Sequence, residues 1–243
     1  MDELFLLSGA QLVLPCGIST LHPTPRMIMN IGEQDYFNYI QTITAIPTDY
    51  RVELYDSGID AEDLSDFELF FYTKDSLSEE LSAILFNGIN WKDFVPMFNN
   101  ESKQINLVRE KDMFGIDPYI FWQIVNFLRK IHNIEKKRQI SGNDHTKKFL
   151  IEMERMERQA IAAQNKAKPF ESNLAPLISC VANSAGSSYS YEECFDLPLY
   201  VLFDSIRRIQ RIMSYQNLMH GIYAGTIDSK KIKQSDYNWM EKL

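Results

Sequence analysis

The stretch Cys194–Gly221, CFDLPLYVLFDSIRRIQRIMSYQNLMHG, constrains this chain most. Leu199, Leu202, Phe203, Ile206, Ile209, Gln210 and Met213 recur at steps of three and four, which makes one wide stripe on a helix of 3.6 residues per turn. Pro198 suits the first helical turn, where its missing N–H costs nothing, and Asp196 reads as a cap just before it. The other face carries Arg207, Arg208 and Arg211. Asp204 stands three and four residues ahead of the first two, a pairing worth only about 0.2–0.5 kcal/mol. The plain reading is a core helix with a solvated basic face; the sharper one is an arginine patch that docks an acidic partner. With 243 residues, the chain has room for one large domain or two small ones around such a helix.

The net charge of −8 argues against general nucleic-acid binding, but it hides an uneven layout. Asp49–Glu80 holds eleven acids against two bases, a sum of −9, and Arg129–Lys168 holds eleven bases against five acids, a sum of +6. Such segregation points to complementary surfaces, within the fold or between subunits, with two separately solvated faces as the alternative.

Before the basic segment, the pattern is mainly helical with a small β part. Leu4–Leu7 and Gln11–Leu14 flank Ser8-Gly9-Ala10 and read as an N-terminal hairpin. Thr24-Pro25 opens a helix with a break at Gly32, and Pro47-Thr48 opens a short one closed near Gly58. Ser65 with Glu68, and Ser76 with Glu79, fit capping boxes. Phe94–Phe98 and Gln104–Arg109 read as a strand pair within 94–109, and Asp117-Pro118 starts a helix whose stripe is Tyr119, Trp122, Ile124, Val125, Leu128 and Ile131.

The character then changes. Asn133–Asn143 is polar and basic, and a helix capped by Asp144 runs to about Lys168. Phe149, Met153, Met156, Ala160, Ala163 and Ala167 follow steps of four, three, four, three and four, a heptad seam narrower than a core helix needs. Two readings stay open: an amphipathic helix lying over its own domain, or a projecting arm for self-association or partner binding. The organisation expected is 1–132 as hairpin and helical body, 133–170 as polar linker and projecting helix, and 171–243 as C-terminal helices packing on the body.

Chemistry is not legible in the residues. His22, His132, His145 and His220 make no zinc spacing, and Cys16, Cys180 and Cys194 make no C-x-x-C pair and read as free thiols. No phosphate-binding glycine loop and no nucleophile elbow occurs. The acidic run 60–71 fails the EF-hand pattern because Leu64 stands where a ligand should be. The expectation is therefore a non-enzyme without cofactor or metal. No run of about 18 apolar residues suggests a membrane span, and the acidic start MDELFLL is unlike a signal peptide.

Four phrases carry a resemblance: His22-Pro23-Thr24-Pro25-Arg26 through Ile31-Gly32-Glu33-Gln34-Asp35-Tyr36; Ser65-Asp66-Phe67-Glu68-Leu69-Phe70; Gly142-Asn143-Asp144-His145-Thr146-Lys147-Lys148; and Asp204-Ser205-Ile206-Arg207-Arg208-Ile209-Gln210 through Leu218-Met219-His220-Gly221-Ile222-Tyr223. Together they resemble a functionally uncharacterised family of proteins from phages and prophages of Gram-positive bacteria, itself similar to the tail assembly chaperones of long-tailed phages. The resemblance implies a protein of the host cytoplasm that binds the tape-measure protein and tail-tube subunits during assembly, with homo-oligomers a further expectation. Phe149, Met153, Met156, Ala160, Ala163, Arg207, Arg208 and Arg211 are the residues expected to meet a partner. At 243 residues the chain is larger than compact helical chaperones. That leaves a structural component of the virion as the alternative, and a nucleic-acid-binding factor as a third reading.

Overall fold

A computed structural model describes residues 2–101, 103–165, 170–228, 230, 232, 233 and 237–240. In chain order these form α1 (Glu3–Leu7), β1 (Leu12–Val13), β2 (Ser19–Thr20), α2 (Pro25–Ile31), α3 (Glu33–Ile43), α4 (Arg51–Asp56), α5 (Asp66–Thr73) and α6 (Glu79–Leu85). There follow β3 (Phe94–Asn99), β4 (Gln104–Arg109), β5 (Phe114–Ile116), α7 (Pro118–Ile131), α8 (Asp144–Asn165), α9 (Leu174–Asn183), α10 (Tyr191–Asp196) and α11 (Leu199–Tyr223). The fold is mainly α with a small β part, as the pattern implied. β1 and β2 pair antiparallel, and β3, β4 and β5 form an antiparallel sheet in that order.

Local chemistry explains most boundaries. The Ser65 hydroxyl accepts from the Glu68 N–H at 3.1 Å while the Glu68 carboxylate accepts from the Ser65 N–H at 2.8 Å, the reciprocal cap that starts α5. Asp117 caps α7 by accepting from the Ile120 N–H at 2.7 Å. Gly32 takes φ +106° between α2 and α3, a conformation a side chain would oppose.

Five expectations need correction. The first arm of the expected N-terminal hairpin is helical: the Asp2 carboxylate accepts from the Leu4 N–H and Leu6 is buried. The hairpin that does form pairs Leu12 with Thr20 and Val13 with Ser19. The cap of α6 is Ser78, whose hydroxyl accepts from the Leu81 N–H, because Ser76 already ends a 3₁₀ turn and donates to Thr73 O at 2.6 Å. Asn143 caps α8, accepting from the Thr146 N–H at 2.8 Å. Asp196 ends α10, and Pro198 stands at the start of α11. On α7, Tyr119 and Trp122 lie outside, stacked at 6.0 Å between centroids, and Phe121 and Phe127 take the inner positions.

The chain divides into two units, each discontinuous in sequence: residues 1–10, 22–30 and 172–243 in one, residues 11–21 and 31–171 in the other. In the first, Leu6, Ile28, Leu174, Ile178, Val181, Cys194, Leu199 and Leu202 are buried. Arg26 holds α2 to α10: its Nε donates to Asp196 at 2.7 Å and its Nη2 to Glu192 at 2.7 Å.

The second unit is built on a buried aromatic cluster. Trp91 meets the edges of Phe70 at 5.2 Å and Phe86 at 5.0 Å, and Phe70 packs on Phe121 at 4.7 Å. Its polar atoms are satisfied in series. The Trp91 Nε1–H donates to Tyr39 OH at 3.0 Å, Tyr39 OH meets Ser82 Oγ at 2.9 Å, and Ser82 donates to Ser78 O at 2.6 Å. His132 Nδ1 lies 2.7 Å from Leu128 O, a pure acceptor, so its Nε2 accepts from Tyr36 OH at 2.7 Å. Arg129 donates to Thr44 O at 2.8 Å and to Asp66 at 2.9 Å, joining the carbonyl end of α3 to the first turn of α5.

Candidate protein-interaction surface

α8 carries two stripes half a turn apart, since each residue advances about 100° around a helix. Lys147, Ile151, Glu154 and Arg158 follow steps of four, three and four on one side, and Phe149, Met153, Met156, Ala160 and Ala163 occupy the other. The polar side is the one that packs. Lys147 pairs with Asp60, Arg51 with Glu154, and Arg158 with Glu53, while Arg155 reaches Asp56 at 2.7 Å. The incoming segment is tied down too: Lys136 pairs with Asp49 at 2.6 Å, and the Ser141 N–H donates to Glu62 at 2.8 Å. Ile151, 3% exposed, is the buried apolar residue in this contact.

The acidic run and the basic run found in the sequence thus meet, within one unit. The contacts differ in worth. Arg51 is 2% exposed and also donates to Gln139 O at 3.0 Å, so its pair with Glu154 is a buried one, costly to break. The Arg155 and Arg158 pairs lie in solvent and each contributes little. Lys147 beside Asp60 holds that carboxyl below its usual range, and the lysine is raised in turn. The Ser141 hydroxyl and N–H lower Glu62 likewise.

The outward stripe is apolar. Phe149 is 56% exposed, Met153 54% and Met156 69%, and Ala160 and Ala163 are exposed beside them. Ala167 lies outside the described residues. α8 therefore does lie over its own unit, and it does so through its charged face, leaving the heptad seam to solvent. The inward anchors Arg51 and Ile151 were not singled out in the sequence; the matching −9 and +6 segments were the available signal.

The arginines of α11 belong to the other unit and have contacts there. Arg207 lies 3.7 Å from Asp204 and over the Tyr200 ring at 5.7 Å. Arg208 donates to Trp239 O at 2.5 Å, and Arg211 is half-buried. The stripe on α11 is buried at Leu199, Leu202 and Ile206 and opens to solvent by Met213. Among the described residues no helix is long and apolar enough to cross a membrane.

Residues 163–243, which include α9, α10 and α11, match the model of a family described as the YomV second domain; YomV is a Bacillus phage-region protein. That third of the chain is thus similar to a phage-associated domain. No curated protein and no solved structure matches the chain.

Proposed function

We propose that this is a phage protein acting by docking rather than catalysis, in the manner of a tail assembly chaperone. Its target in this reading is the long, coiled-coil-rich tape-measure protein, met in the host cytoplasm while tail-tube subunits assemble. One observation carries the reading: an apolar heptad seam faces solvent on a helix whose other face is fastened by ion pairs. A helix with a heptad pattern is the partner such a seam fits, and methionines adapt their shape to varied targets. The phage-associated match at 163–243 is consistent with this setting. The nucleic-acid reading loses support, because Lys136, Lys147, Arg155 and Arg158 already face carboxylates.

Mass spectrometry of purified particles beside infected-cell lysate tests the proposal. The expected result is abundance in lysate, co-purification with tape-measure protein and absence from particles. A fixed copy number in particles would overturn it in favour of a structural component of the tail.

A further inference from the structure

We propose that α8 also pairs with α8 of a second copy of this chain, antiparallel, through the same seam. The inference rests on the seam and not on the phage reading. In heptad terms Met153 and Ala160 take one core position, and Phe149, Met156 and Ala163 the other. The large side chains lie toward the start of the helix and the small ones toward its end.

A parallel pair would set like against like. Phenylalanine and methionine layers would hold the axes apart at one end while alanine layers needed them close at the other. It would also bring each Glu152 against the partner's Glu157, two like-charge approaches along the flanks. An antiparallel pair centred near position 158 matches sizes instead. Met153 then packs on the partner's Ala163, and Met156 on the partner's Ala160. Every described layer so formed holds one methionine and one alanine, so the spacing between axes stays constant. The repulsion shrinks to one approach, Glu157 to the partner's Glu157. Size and charge select the same orientation, and the ion pairs behind α8 hold the seam outward in each copy.

The side chains on the seam are few and half of them are alanines, so the contact stays below the roughly 1,200 Å² of a stable interface. The dimer is therefore weak, and it competes with any helical partner for the seam.

Sedimentation of the full chain over a wide concentration range should show mass rising toward twice the monomer. Met156→Glu should abolish the rise with the circular dichroism unchanged, since the position is exposed. Glu157→Gln should tighten association several-fold at neutral pH. Orientation is read by disulfide trapping with Cys16→Ser and Cys180→Ser in place; Cys194 is buried and can stay. Mixing Met153→Cys protein with Ala163→Cys protein should yield the mixed disulfide. Neither alone should link efficiently, because equal positions ten residues from register lie about 15 Å apart along the axis, beyond disulfide reach. Efficient linking of Met153→Cys to itself would mean a parallel pair and overturn the proposal, as would a monomer at every concentration. Either failure leaves the tape-measure reading to its own test, which asks for capture of a different protein.

Discussion

Two residues in the first unit make sharp predictions. Gly9 has φ +70°, and a Cβ built there would sit 2.4 Å from the Pro198 Cγ. Gly9→Ala combines a left-handed backbone with a clash against the start of α11. It should cost about 1–3 kcal/mol or more, read as a lower midpoint in urea unfolding. His22 is buried, its Nε2 accepting from the Tyr200 N–H at 3.3 Å, and burial pushes its pKa from 6.5 down to about 4. The unfolded chain therefore binds a proton between these values that the folded chain refuses. His22 favours folding above pH 6.5 and loses that contribution as pH falls toward 4, by about 2–3 kcal/mol. Asp60, Glu62 and Asp196, each held below its usual range, begin to lose their contributions only at the acid end of this window, as pH falls through the ordinary carboxylate range. Urea midpoints of wild type and His22→Gln between pH 6.5 and 4 check this: the variant's slope should be clearly shallower. Parallel curves would assign the slope to other groups.

Helix α8 is an element whose polar face packs and whose apolar face does not, the reverse of the usual arrangement. Its attachment should therefore respond to salt, because solvent-exposed pairs are screened while buried apolar contacts are not. Hydrogen exchange of 144–163 should quicken at high salt while α7, with six buried apolar residues, stays protected. Arg51→Met should loosen α8 at any salt by leaving Glu154 facing a buried apolar group, a loss of roughly 2–4 kcal/mol in local protection. Equal protection of α8 at low and high salt would mean Ile151 and backbone contacts hold it instead. The caps of α5 and α7 were legible in the sequence, since Ser65, Glu68, Asp117 and Pro118 act on their nearest neighbours. So was the seam on α8. What faces inward from α8 was not, because heptad spacing identifies an apolar stripe without saying whether protein or water covers it. The error at Leu4–Leu7 is similar: a short apolar run suits strand and helix alike, and the Asp2 cap decided it.

The discontinuity of the two units lay beyond local pattern altogether. Residues 22–30 join 172–243 through contacts such as Arg26 with Asp196, across a separation no periodicity spans. The function proposed here, too, rests on a surface and not on a motif, so it must be tested by separating binding from folding. Met153 and Met156 are more than half exposed. Replacing both by glutamate should therefore change stability by less than about 0.5 kcal/mol per site. If the seam captures the tape-measure protein, the doubly substituted chain should express normally, melt at the wild-type temperature, and fail to co-purify with that protein. Cells carrying it should accumulate heads without tails, as particle counts by electron microscopy would record. Wild-type yields of tailed particles from that variant would remove the seam from assembly. A loss of yield with a lowered melting temperature would instead make these methionines part of the fold, against their exposure. A loss of yield at unchanged melting is the outcome that only a binding role produces.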